Sequence, residues 1–268
     1  MALASRPATT SGGRPAVPAR PEVHDAPAET GRPAFYALGH GRAGDLLTLL
    51  HTPYTAWHLS YFALGAAVAP HLYLNRLLWG LLAFGLAVGV AAHALDELHD
   101  RPLETRLSDR TLILVAATSL IGALAIGVAG VVTVWVGLAP LVLAGALFLL
   151  AYNLELAGGR FHSDLWFAVG WGAFPAFTGY LANAEKIALP GVLIACGCLA
   201  LSVAQRRLSA PARELRRRTR AIRGVRIGSD GQPEELSLAG LLAPLDGALA
   251  AMSVAVVLTA CALVASRL

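Results

Sequence analysis

The longest uncharged stretch of the chain is the feature that most limits how it can fold. Between Arg110 and Glu155 lie 44 consecutive residues, 111–154, without Asp, Glu, Lys or Arg. A membrane-spanning helix needs about 20 apolar residues, so this stretch is too long for one span and has the length of two. Gly127 and Gly130 predict the turn between the two helices. The sequence therefore predicts a helical hairpin inside a bilayer.

The rest of the chain contains further segments of the same kind. Apolar residues make up 56% of the chain and charged residues 14%, whereas a soluble domain is about a quarter charged. Besides the hairpin, uncharged segments predict spans at 54–75, 77–95, 165–184, 187–205 and 247–266. The predicted fold class is an all-α, polytopic transmembrane helical bundle of about seven spans.

The segments outside these spans are polar or short. Residues 1–33 contain six prolines and no apolar run, which predicts a disordered tail. Residues 34–53 are mildly amphipathic, and we expect them to lie along the membrane interface before the bundle of 54–268 begins. Residues 236–244 are apolar but broken by Pro244, so they are interpreted as interfacial or re-entrant, or as part of an eighth helix.

Basic residues orient the predicted spans, because cytoplasmic loops retain Lys and Arg. With the N-terminus in the cytoplasm, 18 of the 21 Lys and Arg residues fall on the cytoplasmic side, where the loops are 96–110, 154–164 and 206–236. We expect an integral, multi-pass protein of the cell membrane whose polar loops share one face. Arginines spread between apolar runs favour this topology over nucleic acid as a partner.

A group of ionisable residues closes the predicted second span, where charged side chains are costly and mark functional sites. His93, Asp96 and Asp100 fall within about 60° of one another on a helix, and Glu97 lies at the adjoining edge. Converging oxygen ligands suit Mg²⁺, which binds through carboxylates and substrate phosphates. The group therefore predicts a Mg²⁺ site. The alternative is a solvated helix end with salt bridges to the arginines that follow.

Two further polar segments lie on the same predicted face of the membrane. The pair Tyr152-Asn153 ends the fourth span and precedes Arg160 and Asp164, of which Asp164 also suits the N-terminus of the fifth span. Arg206 and Arg207 close the sixth span and begin an arginine-rich loop. Guanidinium groups pair well with phosphate oxygens, but membrane topology and contact with anionic lipid also explain such a loop.

Taken together, these motifs resemble those of the UbiA superfamily of intramembrane prenyltransferases, over about residues 50–207. The family has an aspartate-rich motif at the cytoplasmic end of its second helix, followed by an Arg-Pro segment. Here residues 92–100 keep the last two aspartates, Asp96 and Asp100, and have Ala-His in place of the leading Asn-Asp. The later elements follow in the family's order: Arg101-Pro102, Tyr152-Asn153, Arg160, Asp164 and Gly170-Trp171-Gly172.

The second aspartate-rich motif of the family has no counterpart in this sequence. At the end of the sixth span, residues 202–207 read Ser-Val-Ala-Gln-Arg-Arg, without a carboxylate. Family members also usually have nine helices rather than about seven. We hypothesise that Arg206 and Arg207 neutralise a diphosphate in place of the second Mg²⁺, although loss of catalysis fits the same pattern.

The resemblance implies an enzyme, a Mg²⁺-dependent prenyltransferase that moves an isoprenoid group from a prenyl diphosphate to an aromatic or other lipophilic acceptor. Its partners would be these two substrates and membrane lipids. The implied roles are Mg²⁺ binding by Asp96, Asp100, Glu97 and His93, diphosphate binding by Arg101, Arg106, Arg160, Arg206 and Arg207, and substrate orientation or cation shielding by Tyr152 and Asn153. Two alternatives stay open: a UbiA-type terpene cyclase or other diphosphate-eliminating enzyme, and a non-catalytic lipid-binding or scaffold protein.

Overall fold

The computed structural model of the protein describes residues 42–268, apart from the side chains of residues 42, 43, 45, 46 and 100. The predicted tail, 1–33, and the first part of the predicted interfacial segment, 34–53, lie outside the described residues. Nearly all secondary structure in the described part is helical, which confirms the prediction of a helical bundle.

The helices follow one another with short connections. In chain order they are α1 (Arg42–Leu49), α2 (Thr52–Ala67), α3 (Leu74–Phe84), α4 (His93–Asp100), α5 (Asp109–Thr133), α6 (Ala139–Asn153), α7 (Asp164–Phe167), α8 (Phe174–Ala184), α9 (Leu189–Arg218) and α10 (Leu238–Ala265). Two π-helical segments, Gly85–Ala92 and Ala168–Ala173, join α3 to α4 and α7 to α8 without a break. A short 3₁₀ turn, Val136–Leu138, precedes α6.

Five helical segments of the described chain are long and apolar enough to cross a membrane. They are Leu74–His99, Asp109–Thr133, Val136–Asn153, Leu189–Arg218 and Leu238–Ala265. Each carries a large apolar side chain that is more than half exposed: Leu78, Ile121, Leu143, Leu193 and Leu258. Such a continuous apolar exterior is costly in water and suits the hydrocarbon of a bilayer.

The predicted hairpin in 111–154 forms, but its turn lies later than expected. Gly127 and Gly130 lie inside α5, and the chain reverses at Val134 and Trp135. The glycine at 127 serves packing instead of the turn, because a Cβ there would lie 2.9 Å from a methyl group of Val142 on α6. The prediction of the turn at the glycines was therefore wrong, since the glycines allow the two helices to approach.

The other two predicted spans, 54–75 and 165–184, fall on helices in the interior of the bundle. They correspond to α2, which has 16 residues, and to the continuous helical stretch from α7 through α8. α2 packs mainly against α8 and α10. Its buried side chains Trp57, Tyr61 and Phe62 form the centre of the main core cluster.

Glycine lets α2 and α8 approach until their backbones touch. A Cβ on Gly65 of α2 would overlap the carbonyl oxygen of Ala176 on α8, and a Cβ on Gly179 of α8 would overlap the carbonyl oxygen of Phe62. The reciprocal pair of contacts fixes the separation of the two helices. This contact sets how closely the side chains of α2 approach α8 and the second π segment.

The helices at the C-terminal end are longer than the sequence suggests. The predicted loop 206–236 starts only after Arg218, because α9 continues for three more turns, and it contains a two-stranded antiparallel hairpin of β1 (Val225–Ile227) and β2 (Pro233–Glu235). Residues 238–244 of the segment 236–244 form the start of α10, which continues through Pro244. Leu242 and Leu249, on both sides of that proline, are buried, so packing keeps the helix together.

We expect Gly65→Val to destabilise the fold by roughly 1–3 kcal/mol or more, because the added side chain collides with the α8 backbone. Thermal unfolding in detergent micelles measures the change. Gly197→Val in α9 is the matched control, since a Cβ at that exposed glycine meets nothing within 4 Å. Equal melting temperatures for the two variants would contradict the proposed backbone contact.

Candidate functional site

The two π-helical segments meet at one level of the bundle. Val88 and Ala91 from the first segment and Trp171 from the second pack together with Leu149 and Tyr152 of α6. π-helical turns are uncommon and occur frequently at functional sites. Here the carbonyl oxygen of Trp171 accepts a hydrogen bond from Nδ1 of His58, which lies 2.8 Å away on α2.

An apolar cavity of about 570 Å³ begins at this level. Its walls come from α3 with the first π segment, α5, α6 and α8 with the second π segment, and many of the lining residues are small: Gly80, Ala83, Ala87, Ala123, Gly145, Ala146 and Gly170. On α6 the lining runs from Leu141 to Leu149, which corresponds to about 12 Å along the helix axis. At the far end Arg76 lines the cavity and pairs with Glu185 at 2.6 Å.

Tyr152 lies beside the end of the cavity that Trp171 lines. Its ring is stacked on His162, with centroids 4.4 Å apart, and lies 4.6 Å from the ring of Trp171, which lines the cavity. The side chain of Tyr152 is 8% exposed. Nδ1 of His162 lies 3.2 Å from the carbonyl oxygen of Tyr152, so this nitrogen carries a proton when the hydrogen bond forms.

Asp96 faces the same region from α4. The guanidinium groups of Arg213 and Arg217 act on its carboxylate, and the carboxylate in turn acts on Tyr152. We call the group of Asp96, Tyr152, His162, Arg206 and Arg213 the polar end. Asp100 follows one turn later on α4, but its side chain lies outside the described part of the structure.

Glu97 has a different role from the one that the sequence suggests. The residue is completely buried, and its carboxylate accepts hydrogen bonds from the backbone N–H of Leu103 (3.0 Å), the backbone N–H of Thr105 (2.8 Å) and the Thr105 hydroxyl (2.8 Å). Both carboxylate oxygens are thus occupied by the loop that follows α4. A buried charge is tolerated here because three donors compensate its desolvation.

Two of the predicted Mg²⁺ ligands, Glu97 and His93, have other contacts in the structure. Glu97 is bonded to the loop, and His93 contacts Thr55 (Nε2 to Oγ1, 3.4 Å) and stacks on His51 at 3.9 Å between ring centroids. Among the side chains that the structure describes, no group of three His, Cys, Asp or Glu residues could hold a metal ion. The described donors therefore do not fit a metal site of their own, and Mg²⁺ at Asp96 and Asp100 stays a prediction.

Two of the five predicted diphosphate-binding arginines have a carboxylate partner, and the other three are exposed. Arg101 donates to the carbonyl oxygen of Leu107 at 2.6 Å and pairs with Asp109, both in the loop that follows α4 or at its end. Arg206 pairs with Asp164 at 2.6 Å and lies over the ring of Phe167. The other predicted members are exposed: Arg106, Arg160 and Arg207. Of the five arginines, Arg206 is the one whose charge acts on Tyr152, so it belongs to the polar end.

Asn153 has a local contact. Its Nδ2 donates to the carbonyl oxygen of Leu149, 2.8 Å away and one turn earlier on α6. The residue is buried next to Tyr152, and its predicted role in orienting a substrate stays a prediction.

The structure adds Arg213 and Arg217 to the site, which the sequence analysis treated as part of a loop. Both lie on the last turns of α9, and both act on Asp96. Burial, together with the guanidinium groups of Arg217 and Arg213, lowers the pKa of His51 to about 3, so this imidazole is neutral at pH 7. The spacing of residues 206, 213 and 217 could have indicated this group from the sequence, because these positions share one face of a helix.

Comparison with known proteins finds no match: no family model, no curated protein and no solved structure matches the chain.

We expect Glu97→Gln to loosen the loop after α4, because an amide nitrogen cannot accept the hydrogen bonds that the carboxylate accepts. One backbone N–H then loses its acceptor, at a cost of about 1–3 kcal/mol. Hydrogen–deuterium exchange of the peptide 101–107 measures the effect as faster exchange. Glu104→Gln, in the same loop but exposed, is the control, and unchanged protection in Glu97→Gln would refute the role assigned to Glu97.

Proposed function

We propose that the protein is a membrane prenyltransferase that moves an isoprenoid group from a prenyl diphosphate to an aromatic or other lipophilic acceptor. The observation that carries this proposal is the apolar cavity lined by small residues that ends at Trp171 and Tyr152, directly beside the charged polar end. Such a site matches a substrate with a long apolar chain and an anionic head. The resemblance of the motif around Asp96 to the UbiA superfamily supports the same substrate.

In the proposed reaction the isoprenoid chain occupies the cavity and its diphosphate lies at the polar end. The bond between C1 and the diphosphate oxygen breaks, and the electron pair leaves with the diphosphate. The acceptor supplies the electron pair of the new bond to C1 and releases a proton. Guanidinium groups at the polar end stabilise the charge on the leaving diphosphate.

Aromatic side chains at the mouth of the cavity suit the developing allylic cation. Tyr152 lies 4.6 Å from Trp171, and Phe167 is stacked on Trp171 at 5.6 Å between ring centroids. The faces of aromatic rings attract cations, more strongly where water is excluded. Tyr152 would therefore shield the cation that forms next to the diphosphate.

In this proposal, Asp96 and Asp100 are the residues that would bind Mg²⁺. Bound there, the ion would supply positive charge to the leaving diphosphate. Because the described donors do not form a metal site, we assign no step of the reaction to it.

We further propose that the bundle crosses the cell membrane seven times, with the N-terminus and the polar end in the cytoplasm. The five long apolar helices support spans, and α2 and the α7–α8 stretch would add the remaining two as interior helices. The distribution of arginine between the ends of the spans supports this orientation.

Two other functions are each favoured by one observation. The three rings of Tyr152, Phe167 and Trp171 would also suit a terpene cyclase or diphosphate-eliminating enzyme, in which the cation reacts internally. The engagement of Glu97 and Arg101 in loop structure fits a lipid-binding or scaffold protein that has no chemistry at this site.

We expect purified protein to release pyrophosphate from isoprenoid diphosphates when Mg²⁺ is present. Asp96→Ala and Asp100→Ala should reduce the rate by at least about tenfold, because each removes a charge that positions the substrate head. Asp230→Ala, in the exposed turn of the β hairpin, is the control. A prenylated acceptor identifies a transferase and a cyclic hydrocarbon a cyclase, whereas no release at any chain length leaves the scaffold function.

We also expect Ala146→Phe to shorten the isoprenoid chains that the protein accepts, because residue 146 lines the cavity midway along α6. The ratio of rates for a short and a long diphosphate should rise roughly tenfold or more, the scale expected when a pocket loses room for several methylene groups. Leu147→Phe, on the exposed outer face of the same helix, is the matched control. Parallel changes for both diphosphates would contradict the assignment of the cavity.

A further inference from the structure

Three arginines share one face of the last turns of α9. At 100° per residue, Arg206, Arg213 and Arg217 fall within about 40° of one another. The neighbouring arginines of the same helix point elsewhere, since Arg216 pairs with Asp246 of α10 and Arg218 lies 4.0 Å from Glu214. The face that carries Arg206, Arg213 and Arg217 is called the arginine face below.

The arginine face carries more positive charge than the described carboxylates neutralise. Arg206 pairs with Asp164, but no described carboxylate lies within 4.0 Å of the guanidinium groups of Arg213 or Arg217, and both residues are exposed. In contrast, Arg76 and Arg101 each have a carboxylate partner. Like charges that converge without carboxylate partners repel one another, so an anion bound between them would be stabilised.

The arginine face is directed toward the polar end. Arg213 acts on both Asp96 and Tyr152, and it lies within range of the charges of Arg206 and Arg217. Arg217 acts on Asp96 and on the buried His51. Arg206 also lies over the ring of Phe167, 5.1 Å from its centroid, and Phe167 is stacked on Trp171, which lines the apolar cavity. The arginine face therefore lies on the side of the cavity where the anionic head of an amphipathic ligand would lie.

We infer that Arg213 and Arg217, together with Arg206, bind the phosphate groups of a diphosphate ester directly, and that this binding needs no metal ion. Guanidinium groups offer planar pairs of N–H donors that match phosphate oxygens. The identity of the ester as a prenyl diphosphate rests on the proposed function, whereas phosphate binding does not. The site takes the place of the second acidic motif that is absent from residues 202–207.

Inorganic pyrophosphate is the probe, because it carries the phosphate chemistry without the chain. The full-length protein is placed in nanodiscs of phosphatidylcholine, and pyrophosphate is titrated by calorimetry in the presence of EDTA. We expect binding in EDTA, weakened about tenfold or more by Arg213→Ala and by Arg217→Ala, as for the loss of a charge-assisted hydrogen bond. Arg218→Ala is the matched control, since Arg218 lies one residue further on α9 but on another face, and it should leave the affinity unchanged.

Asp96 separates the two possible modes of binding. If guanidinium groups hold the pyrophosphate, removing the negative charge by Asp96→Asn leaves the affinity in EDTA unchanged or increases it, because a repulsion is lost. If a metal ion on Asp96 holds it, Asp96→Asn weakens binding. Binding that requires Mg²⁺, is lost in Asp96→Asn and is unaffected by Arg213→Ala and Arg217→Ala would overturn the inference.

Folding and the source of the phosphate are tested in parallel. Arg213→Lys keeps the charge without the paired donors and should bind with intermediate affinity, and unfolding temperatures identify any variant that has lost its fold. Nanodiscs that contain phosphatidic acid distinguish a lipid headgroup from a soluble ester: competition with pyrophosphate indicates the headgroup, and its absence the soluble ester. Arginine-dependent binding without turnover of any prenyl diphosphate would sustain the inference while refuting the proposed prenyl transfer.

Discussion

The backbone contact between α2 and α8 is the constraint on which the site depends. Gly65 and Gly179 let the two helices touch, and this contact holds His58 on α2 against the carbonyl oxygen of Trp171. Trp171 in turn packs on Tyr152 at the mouth of the cavity. The hydrogen bond of His58 depends on the backbone contact, because a side chain on α2 reaches the second π segment only if the helix separation is small.

The apolar cavity and the charged side chains lie at different levels along the helix axes of the bundle. Small residues leave an apolar cavity in the middle, while α4, α9 and the loop after α6 bring carboxylate, guanidinium and imidazole groups together. Charge within low dielectric is expensive unless it is compensated. Glu97 is compensated by three loop donors and Arg206 by Asp164. Arg213 and Arg217 have no such carboxylate among the described residues, and for this reason they carry the proposed phosphate site.

Sequence reasoning predicted the helical bundle correctly, and it failed where packing decides the role of a residue. Gly127 predicts a turn by its conformational freedom, but in the structure it makes room for Val142. Glu97 fits the pattern of a metal ligand, but its carboxylate closes the loop at Leu103 and Thr105. The arginines after Arg207 look like a topogenic loop in the sequence, yet α9 continues to Arg218 and turns two of them, Arg213 and Arg217, toward Asp96.

The sequence alone determined that this chain contains helix-length apolar segments separated by clusters of charged residues. It determined this because the length of an uncharged run and the cost of a charge in hydrocarbon are local properties. Only the tertiary structure decided which charged residues lie close together and which are bonded to loops instead. These arrangements depend on helix separation, on π-helical turns that shift the helix register, and on where a helix ends. All three follow from contacts between residues far apart in the chain.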